Sequence, residues 1–164
     1  KGLLMKKEFK LEKFWRASSG INKSRSTNEF VRENIKALVE SCGSSDPFTI
    51  AETMDIEVRW EQFGEHPLGQ TVYYNNKPAI LLNQNIQDTT QRYFTCGHEL
   101  GHIILQPETT GYQTGRLSHG VCEYQANQFA TGLMGLLYVE ENGYGPESYY
   151  DLVHHYGSPV KELD

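Results

Sequence analysis

Two histidines and a glutamate stand together in the segment His98-Glu99-Leu100-Gly101-His102, which has the pattern H-E-x-x-H. On a helix, residues four apart lie on one face about one turn from each other, so both imidazoles can point a nitrogen at one ion. Glu99 is turned about 100° away around the axis, where its carboxylate can reach a water on the ion without being a ligand. Two neutral nitrogens that hold Zn²⁺, and a carboxylate that takes a proton from water, are what metal-assisted hydrolysis requires. The motif therefore predicts His98 and His102 as metal ligands and Glu99 as the general base.

The residues around this motif predict a largely buried helix. Leu100 is apolar, and so are Ile103, Ile104 and Leu105, which follow at helical spacing. Two histidines and a glutamate inside such a helix cost free energy unless they are paired or bind a metal. The alternative is a pair of surface or hydrogen-bonded histidines without a metal, and the apolar surroundings favour the metal site.

A catalytic zinc takes a third protein ligand and keeps one position open. The residues that follow the motif predict a second helix, one face of which carries Glu123, Asn127, Ala130 and Met134. Only Glu123 is ionisable on that face, so it is the candidate third ligand. Asn127, one turn further on, could hydrogen-bond a ligand side chain. The alternative for Glu123 is a helix glutamate that faces solvent.

Capping patterns and apolar residues at helical spacing predict the helices that surround the motif. The first predicted helix begins at a capping box and ends at a glycine. Asp46, followed by a proline, predicts the start of the next helix, which is short. The predicted helices, with approximate bounds, span 26–43, 46–54, 88–106, 120–133 or beyond, and 148–156.

Three short segments between the second and third helices have the character of strands. Apolar residues alternate with charged ones over 56–61, and the runs 70–74 and 79–82 are joined across a turn at 75–78. We therefore expect an α+β fold in which a small antiparallel sheet packs against the motif helix. Residues 107–118 carry two glycines and are expected to form a loop between the ligand-bearing helices.

Length and composition favour one folded domain. The chain has 164 residues, of which 38% are hydrophobic and 22% charged, so it is neither disordered nor embedded in a membrane. No apolar run approaches the roughly 20 residues of a spanning helix. The cysteine count of three cannot pair completely within the chain, which argues for a reducing, cytoplasmic compartment.

Charge divides the chain into an N-terminal arm, residues 1–25, and a single domain, residues 26–164. The arm holds eight Lys or Arg and two acidic residues, for +6, and the remainder holds seven basic and 19 acidic residues, for −12. A domain at −12 disfavours direct nucleic-acid binding, which needs clustered basic residues. The arm could form a basic amphipathic helix that meets a membrane or an acidic partner. The alternative, a flexible tail or a remnant of cloning, is the one we favour.

The paired motifs resemble the ImmA/IrrE metallopeptidases of bacteria, their phages and mobile elements. The motif at 98–102, followed 21 residues later by E-x-x-A-N-x-F-A at 123–130, carries the resemblance, which spans about 30–134. The resemblance implies a zincin-like α+β fold, Zn²⁺ on the three candidate ligands and Glu99 as the general base. It also implies a protein substrate, since characterised members include proteases that cleave helix-turn-helix repressors of phages and integrative elements.

Two departures from the family pattern concern the second ligand-bearing helix. Gln125 stands where a second glutamate is usual, which is expected to alter the surroundings of the ligands and to spare the ligands themselves. Residues 131–136 lack the usual Leu-Leu-Met-Pro ending, so the wall of the site on the substrate side is expected to differ.

Other side chains near the motifs could take part in the chemistry. Cys96 and Cys122 lie close to the ligands in sequence, but helical geometry turns them away, so both are interpreted as small buried residues. Amide hydrolysis also needs a donor for the oxyanion besides the metal. Candidates for that donor, none of them preferred, are Tyr112, His119, Tyr149, Tyr150, His154 and His155.

Two classes of function remain open at this point. The first is a zinc peptidase with a repressor as its substrate, which the presence of Glu99 favours because a structural zinc needs no base. The second is a metal-stabilised antirepressor that acts by protein–protein contact without hydrolysis, which the atypical segment after Met134 favours.

Overall fold

Five helices and a three-stranded sheet make up the computed structural model, which describes residues 11, 14, 27–106 and 119–160. Among these residues, no helix combines the length and the apolar character that crossing a bilayer would need. The α+β class predicted from the sequence is confirmed. The elements in chain order are α1 (Thr27–Cys42), α2 (Pro47–Thr53), β1 (Glu57–Glu61), β2 (Gly69–Tyr74), β3 (Lys77–Asn83), a 3₁₀ turn (Gln84–Ile86), α3 (Gln91–Leu105), α4 (His119–Asn142) and α5 (Tyr149–Tyr156).

The sheet is mixed, which corrects the expectation of an antiparallel one. Its strand order is β1-β3-β2, and β2 pairs antiparallel with β3 whereas β1 pairs parallel with it. β3 takes the centre because nearly all of its side chains are buried, while β1 and β2 are only half-buried and suit the edges. β1 pairs with β3 rather than with β2, its neighbour in sequence, and runs in the same direction as β3. Within the described residues, β2 therefore ends the sheet on one side.

Three asparagines fix the position of β2. Asn76 and the residue before it, Asn75, both adopt positive φ, 64° and 52°, as the tight turns that join hairpin strands require. The buried Asn83 at the end of β3 donates from Nδ2 to the carbonyl oxygens of Gly64 (2.8 Å) and Pro67 (3.0 Å). The connection that leads into β2 is thereby held against the end of β3.

The hydrophobic core surrounds α3, the helix that carries the H-E-x-x-H motif. α3 packs on α4 along one side and on α2, β2 and β3 along others, so it lies in the interior of the fold. Leu11 and Phe14, the two described residues of the N-terminal arm, are buried in the same core. Fully buried side chains of the core are Leu38, Ile50, Ile80, Leu82, Leu100, Ile103, Phe129, Leu133 and Met134.

Helix α4 extends further than the sequence indicated. The predicted helix of 120–133 or beyond continues to Asn142, and no proline interrupts it where the family pattern has one. The sequence predicts the short helix α5 over 148–156. It begins with a capping box between Ser148 and Asp151 and is followed by Gly157 in the left-handed conformation. Tyr156 of α5 donates its hydroxyl to Glu141 Oε1 at 2.7 Å, which ties α5 to the end of α4. The expected loop 107–118 lies outside the described residues.

Helices α3 and α4 approach each other closely at Gly101. A Cβ added there would lie 3.1 Å from Phe129 Cβ and 3.2 Å from the backbone Cα of Ala126. At Gly97, one turn earlier, an added Cβ would meet Ala130 Cβ at 3.6 Å, an ordinary van der Waals distance. Gly101 therefore sets the spacing of the two helices, whereas Gly97 has room for a methyl group.

This difference predicts opposite effects for two alanine substitutions. Gly101→Ala should lower the free energy of unfolding by about 1–2 kcal/mol, since the added methyl group would overpack against the fully buried Phe129 side chain and the backbone of Ala126. Gly97→Ala, the matched control, should leave it unchanged or raise it by up to about 1 kcal/mol, because alanine favours the helix. Urea unfolding of the metal-free proteins measures both values. Equal stability of the two variants would contradict the close approach at Gly101.

Candidate metal centre

Three side chains from two helices converge at the surface of α3 that faces α4. His98 and His102, one turn apart on α3, direct their Nε2 atoms to the carboxylate of Glu123 on α4. His98 Nε2 lies 3.0 Å from Glu123 Oε2, His102 Nε2 lies 3.1 Å from Oε1, and the two Nε2 atoms are 3.1 Å apart. In the described residues these three form the one group of at least three His, Cys, Asp or Glu side chains with the spacing of a metal site.

Each imidazole is held at its other nitrogen by an amide oxygen. Asn127 Oδ1 lies 2.7 Å from His98 Nδ1, and Gln106 Oε1 lies 2.8 Å from His102 Nδ1. The amide of Gln106 is oriented by its other end, because Nε2 donates to the backbone oxygen of Cys122 at 3.0 Å. Both Nδ1 atoms thus face amide oxygens, which can only accept, so each ring donates its Nδ1 proton there and turns its Nε2 atom toward Glu123.

The charges of the cluster are strongly coupled. Hydrogen bonds from His102 and His98 hold the pKa of Glu123 far below its usual range, so this carboxylate is ionised. Burial lowers the pKa of His102, but its hydrogen bonds with Glu123 and Gln106 outweigh burial, and the net shift is upward. The site therefore presents a fixed negative charge between two imidazoles.

The donor set and its spacing fit a zinc ion. Zinc ligands lie about 2.0–2.1 Å from the metal, and ligands at that distance in a tetrahedron are about 3.3 Å from each other. The three contacts among the imidazole nitrogens and carboxylate oxygens measure 3.0–3.1 Å, close to this value. Two nitrogens and one carboxylate are also one of the ligand sets of catalytic zinc.

Glu99 stands beside the cluster without belonging to it. Its side chain is 7% exposed, and its Oε2 accepts a hydrogen bond of 2.8 Å from the Thr71 hydroxyl on β2. The strand comes this close because residue 69 has no side chain, and a Cβ there would lie 2.7 Å from Thr95 Cγ2 and 3.1 Å from Glu99 Cγ. Because Oε2 accepts the hydrogen bond from Thr71, Oε1 of Glu99 remains able to accept a proton from another group.

A cleft of about 320 Å³ opens between β2 and the cluster. Glu99, His102 and Glu123 line it from the helices, and Gly69, Gln70, Thr71 and Tyr73 line it from the strand. A larger cavity of about 720 Å³ lies near α2, β1 and the β2–β3 turn and contains none of these groups. The smaller cleft is the candidate active site, because it joins the candidate ligands to a buried carboxylate.

The remaining candidates from the sequence lie elsewhere or serve the fold. Cys96 is fully buried as expected, whereas Cys122 is half-buried, and neither joins the cluster. His119 is exposed at the start of α4, and Tyr149 donates its hydroxyl to the Pro159 carbonyl oxygen at 2.6 Å. Tyr112 lies outside the described residues. His119, Tyr149, Tyr150, His154 and His155 are absent from the described lining of the cleft.

Sequence reasoning singled out Asn127 beside the candidate ligands but missed Gln106, Thr71 and Tyr73. Gln106 could have been found, because it follows His102 by four residues and caps the end of α3, one turn beyond that ligand. Thr71 and Tyr73 gave no comparable signal, because their distance from α3 depends on how the sheet packs. Gln125 is buried, and its Oε1 lies 3.3 Å from Gln106 Nε2, so the residue that departs from the family pattern belongs to this polar network.

Comparison with known proteins agrees with this geometry. The family model of the IrrE N-terminal-like domain, peptidase M78, matches residues 51–138, which include α3 and the ligand-bearing part of α4. A protein of Bacillus phage phi105 named "Uncharacterized immunity region protein 2" is 28% identical over 115 residues, 68% of this chain and 72% of that protein. Since the family match covers more than half of the chain, the protein belongs to the IrrE N-terminal-like family of peptidases.

Proposed function

We propose that this protein is a zinc-dependent metallopeptidase in which His98, His102 and Glu123 bind the metal and Glu99 is the general base. The observation that carries the proposal is the convergence of the three side chains beside an open cleft that Glu99 also lines. A structural zinc is usually closed by a fourth protein ligand, and the described residues place no fourth His, Cys, Asp or Glu in this group. The open side favours catalysis.

Hydrogen bonds within the protein place protons on the candidate ligands and orient the carboxylate of the general base. Bound zinc would supply Lewis-acid chemistry, by lowering the pKa of water and polarising the substrate carbonyl. Asn127 and Gln106 hold the Nδ1 protons of the two histidines, so that both Nε2 atoms stay available as ligands. Thr71 holds Oε2 of Glu99, and Oε1 is left to accept the proton of the attacking water and to pass it to the leaving amine.

A transcriptional repressor with a helix-turn-helix domain, encoded by the same mobile element, is the substrate that we propose. Membership of the peptidase family and the similarity to a phage protein named for an immunity region support it. Residues 26–164 carry a net charge of −12, which attracts the basic DNA-binding surface of a repressor. Cleavage in a flexible linker would need no unfolding, because linkers lie exposed on the surface. Protease and repressor would meet in the cytoplasm.

The proposed ligand set predicts which substitutions remove zinc. His98→Ala, His102→Ala and Glu123→Ala should each lower the zinc content of the purified protein, because a site with three protein ligands has no spare one. Asn127→Ala should keep the ligands but weaken the affinity for zinc about 10- to 100-fold, since it frees the His98 ring. Atomic emission spectrometry measures the zinc content of each variant, and competition with a chelator measures its affinity for zinc.

His119→Ala is the matched control for this set, because the residue is exposed at the start of the helix that carries Glu123. It should retain full zinc. Full zinc in Glu123→Ala would show that the third ligand is wrong and would make Cys122 or His119 the next candidate.

Glu99→Gln should separate metal binding from hydrolysis. The substituted amide has nearly the same shape and can still accept from Thr71, so the fold and the zinc should remain. Hydrolysis should fall about 10²- to 10⁴-fold, because an amide cannot take the proton of water. Initial rates on purified substrate measure the loss.

Glu52→Gln removes the same charge from an exposed position on α2 and should leave the rate unchanged. Cleavage by Glu99→Gln at the wild-type rate would mean that another group activates the water.

Co-expression with a helix-turn-helix repressor from the same mobile element tests the substrate. With the wild-type protease the repressor should be cut, seen as shorter fragments on a gel, and a reporter promoter should be released. With Glu99→Gln the repressor should stay intact and the promoter silent, because only hydrolysis differs. Release of the promoter with the repressor intact in both strains would contradict the proposal and assign the protein to the antirepressors that act by contact.

A further inference from the structure

One face of β2 runs along α3 with a regular correspondence of residues. Gly69 lies against Thr95 and Glu99, and the hydroxyl of Thr71 bonds to Glu99 Oε2 and lies 3.3 Å from the Glu99 backbone oxygen. Residues two apart in a strand share a face and are about 6.8 Å apart, and four residues of a helix span about 6 Å. Each step of two along β2 therefore matches about one turn of α3.

The next step of this correspondence brings Tyr73 to the turn of α3 that contains His102. Tyr73 follows Thr71 by two residues, so its side chain leaves β2 on the face that packs against α3. Independently, Tyr73 lines the same cleft as Glu99, His102 and Glu123. The ring is therefore placed on the strand side of the cleft, opposite two of the candidate zinc ligands.

Peptide hydrolysis requires a hydrogen-bond donor to the oxyanion, and none of the residues assigned so far provides it. As water adds to the scissile carbonyl, its oxygen becomes an oxyanion, and a fixed hydrogen-bond donor at that position stabilises the transition state. Thr71 has one hydroxyl proton and directs it at Glu99, and Glu99 itself handles the proton of the water. Among the described side chains that line the cleft, the donors that remain unassigned are Gln70 and Tyr73 of β2. Gln70 is exposed and leaves the strand on the face away from Thr71, which makes Tyr73 the better placed of the two.

We propose that Tyr73 is a catalytic residue that donates its phenolic hydrogen bond to the carbonyl oxygen of the scissile peptide as it becomes an oxyanion. This inference rests on the proposed metallopeptidase function and adds a residue to it. Tyr73 lines the cleft in which a substrate carbonyl would lie beside the candidate ligands. Burial raises the pKa of Tyr73, and the phenol therefore keeps its proton at neutral pH.

Tyr73→Phe tests this role because it removes the hydroxyl and keeps the ring. We expect kcat on a repressor peptide that spans the cleavage site to fall about 10²- to 10³-fold, with KM and zinc content unchanged. Tyr74→Phe is the matched control, since Tyr74 is the next residue, leaves the strand on the other face and is 60% exposed. It should keep the wild-type kcat.

Binding of acetohydroxamate gives a second readout that needs no turnover. This small zinc ligand presents a carbonyl oxygen at the position of the scissile carbonyl, and calorimetry on the zinc-loaded proteins measures its affinity. Loss of one hydrogen bond should weaken binding about tenfold in Tyr73→Phe and leave it unchanged in Tyr74→Phe.

The outcomes separate this inference from the function on which it rests. Wild-type affinity for acetohydroxamate together with wild-type kcat in Tyr73→Phe would overturn the role of Tyr73 and leave the peptidase intact. Absence of zinc binding by the wild-type protein would overturn both. If the wild-type protein binds zinc but leaves the repressor uncut, the proposed substrate fails, and the comparison with acetohydroxamate still decides the role of Tyr73.

Discussion

The close packing of α3 against α4 is the constraint on which the candidate site depends. Two of the proposed ligands lie on α3 and the third lies on α4, so the gap between the helices decides whether Glu123 reaches both histidines. Gly101, which directly precedes His102, lets the backbone of α4 at Ala126 approach α3. The resulting contacts of 3.0 and 3.1 Å between carboxylate and imidazoles follow from that approach. A larger side chain at position 101 would act on the metal centre through helix spacing alone.

Buried polar side chains around the proposed ligands orient the side chains that the packing of α3 and α4 brings together. Gln106 accepts from His102 and donates to the backbone of Cys122, so one side chain links the end of α3 to the ligand-bearing turn of α4. It also lies 3.3 Å from Gln125, where the family pattern has a glutamate. An amide at that position accepts the same hydrogen bond without adding a second negative charge beside Glu123. Gln125 therefore keeps the hydrogen bond to Gln106, and the negative charge near His102 is smaller than it would be with a glutamate at position 125.

Much of this arrangement could be predicted because it depends on local periodicity. The four-residue spacing of His98 and His102 fixes their common face on any helix, and the face of α4 singled out Glu123 and Asn127, which the structure brings to the same cluster. The parallel pairing of β1 could not be predicted, since it depends on the burial of β3 relative to both neighbours. The bond from Thr71 to Glu99 joins residues 28 positions apart and depends on how the sheet meets α3, for which the sequence has no periodic signal.

Absorption spectroscopy at the zinc edge of the purified protein measures the ligands of the metal directly. The ligand set His98, His102 and Glu123 predicts only nitrogen and oxygen neighbours, at about 2.0–2.2 Å, with the outer-shell scattering of two imidazole rings. Cys122 lies next to Glu123 and is the one cysteine on α4. A sulfur neighbour at about 2.3 Å, or the scattering of fewer than two imidazoles, would contradict the account.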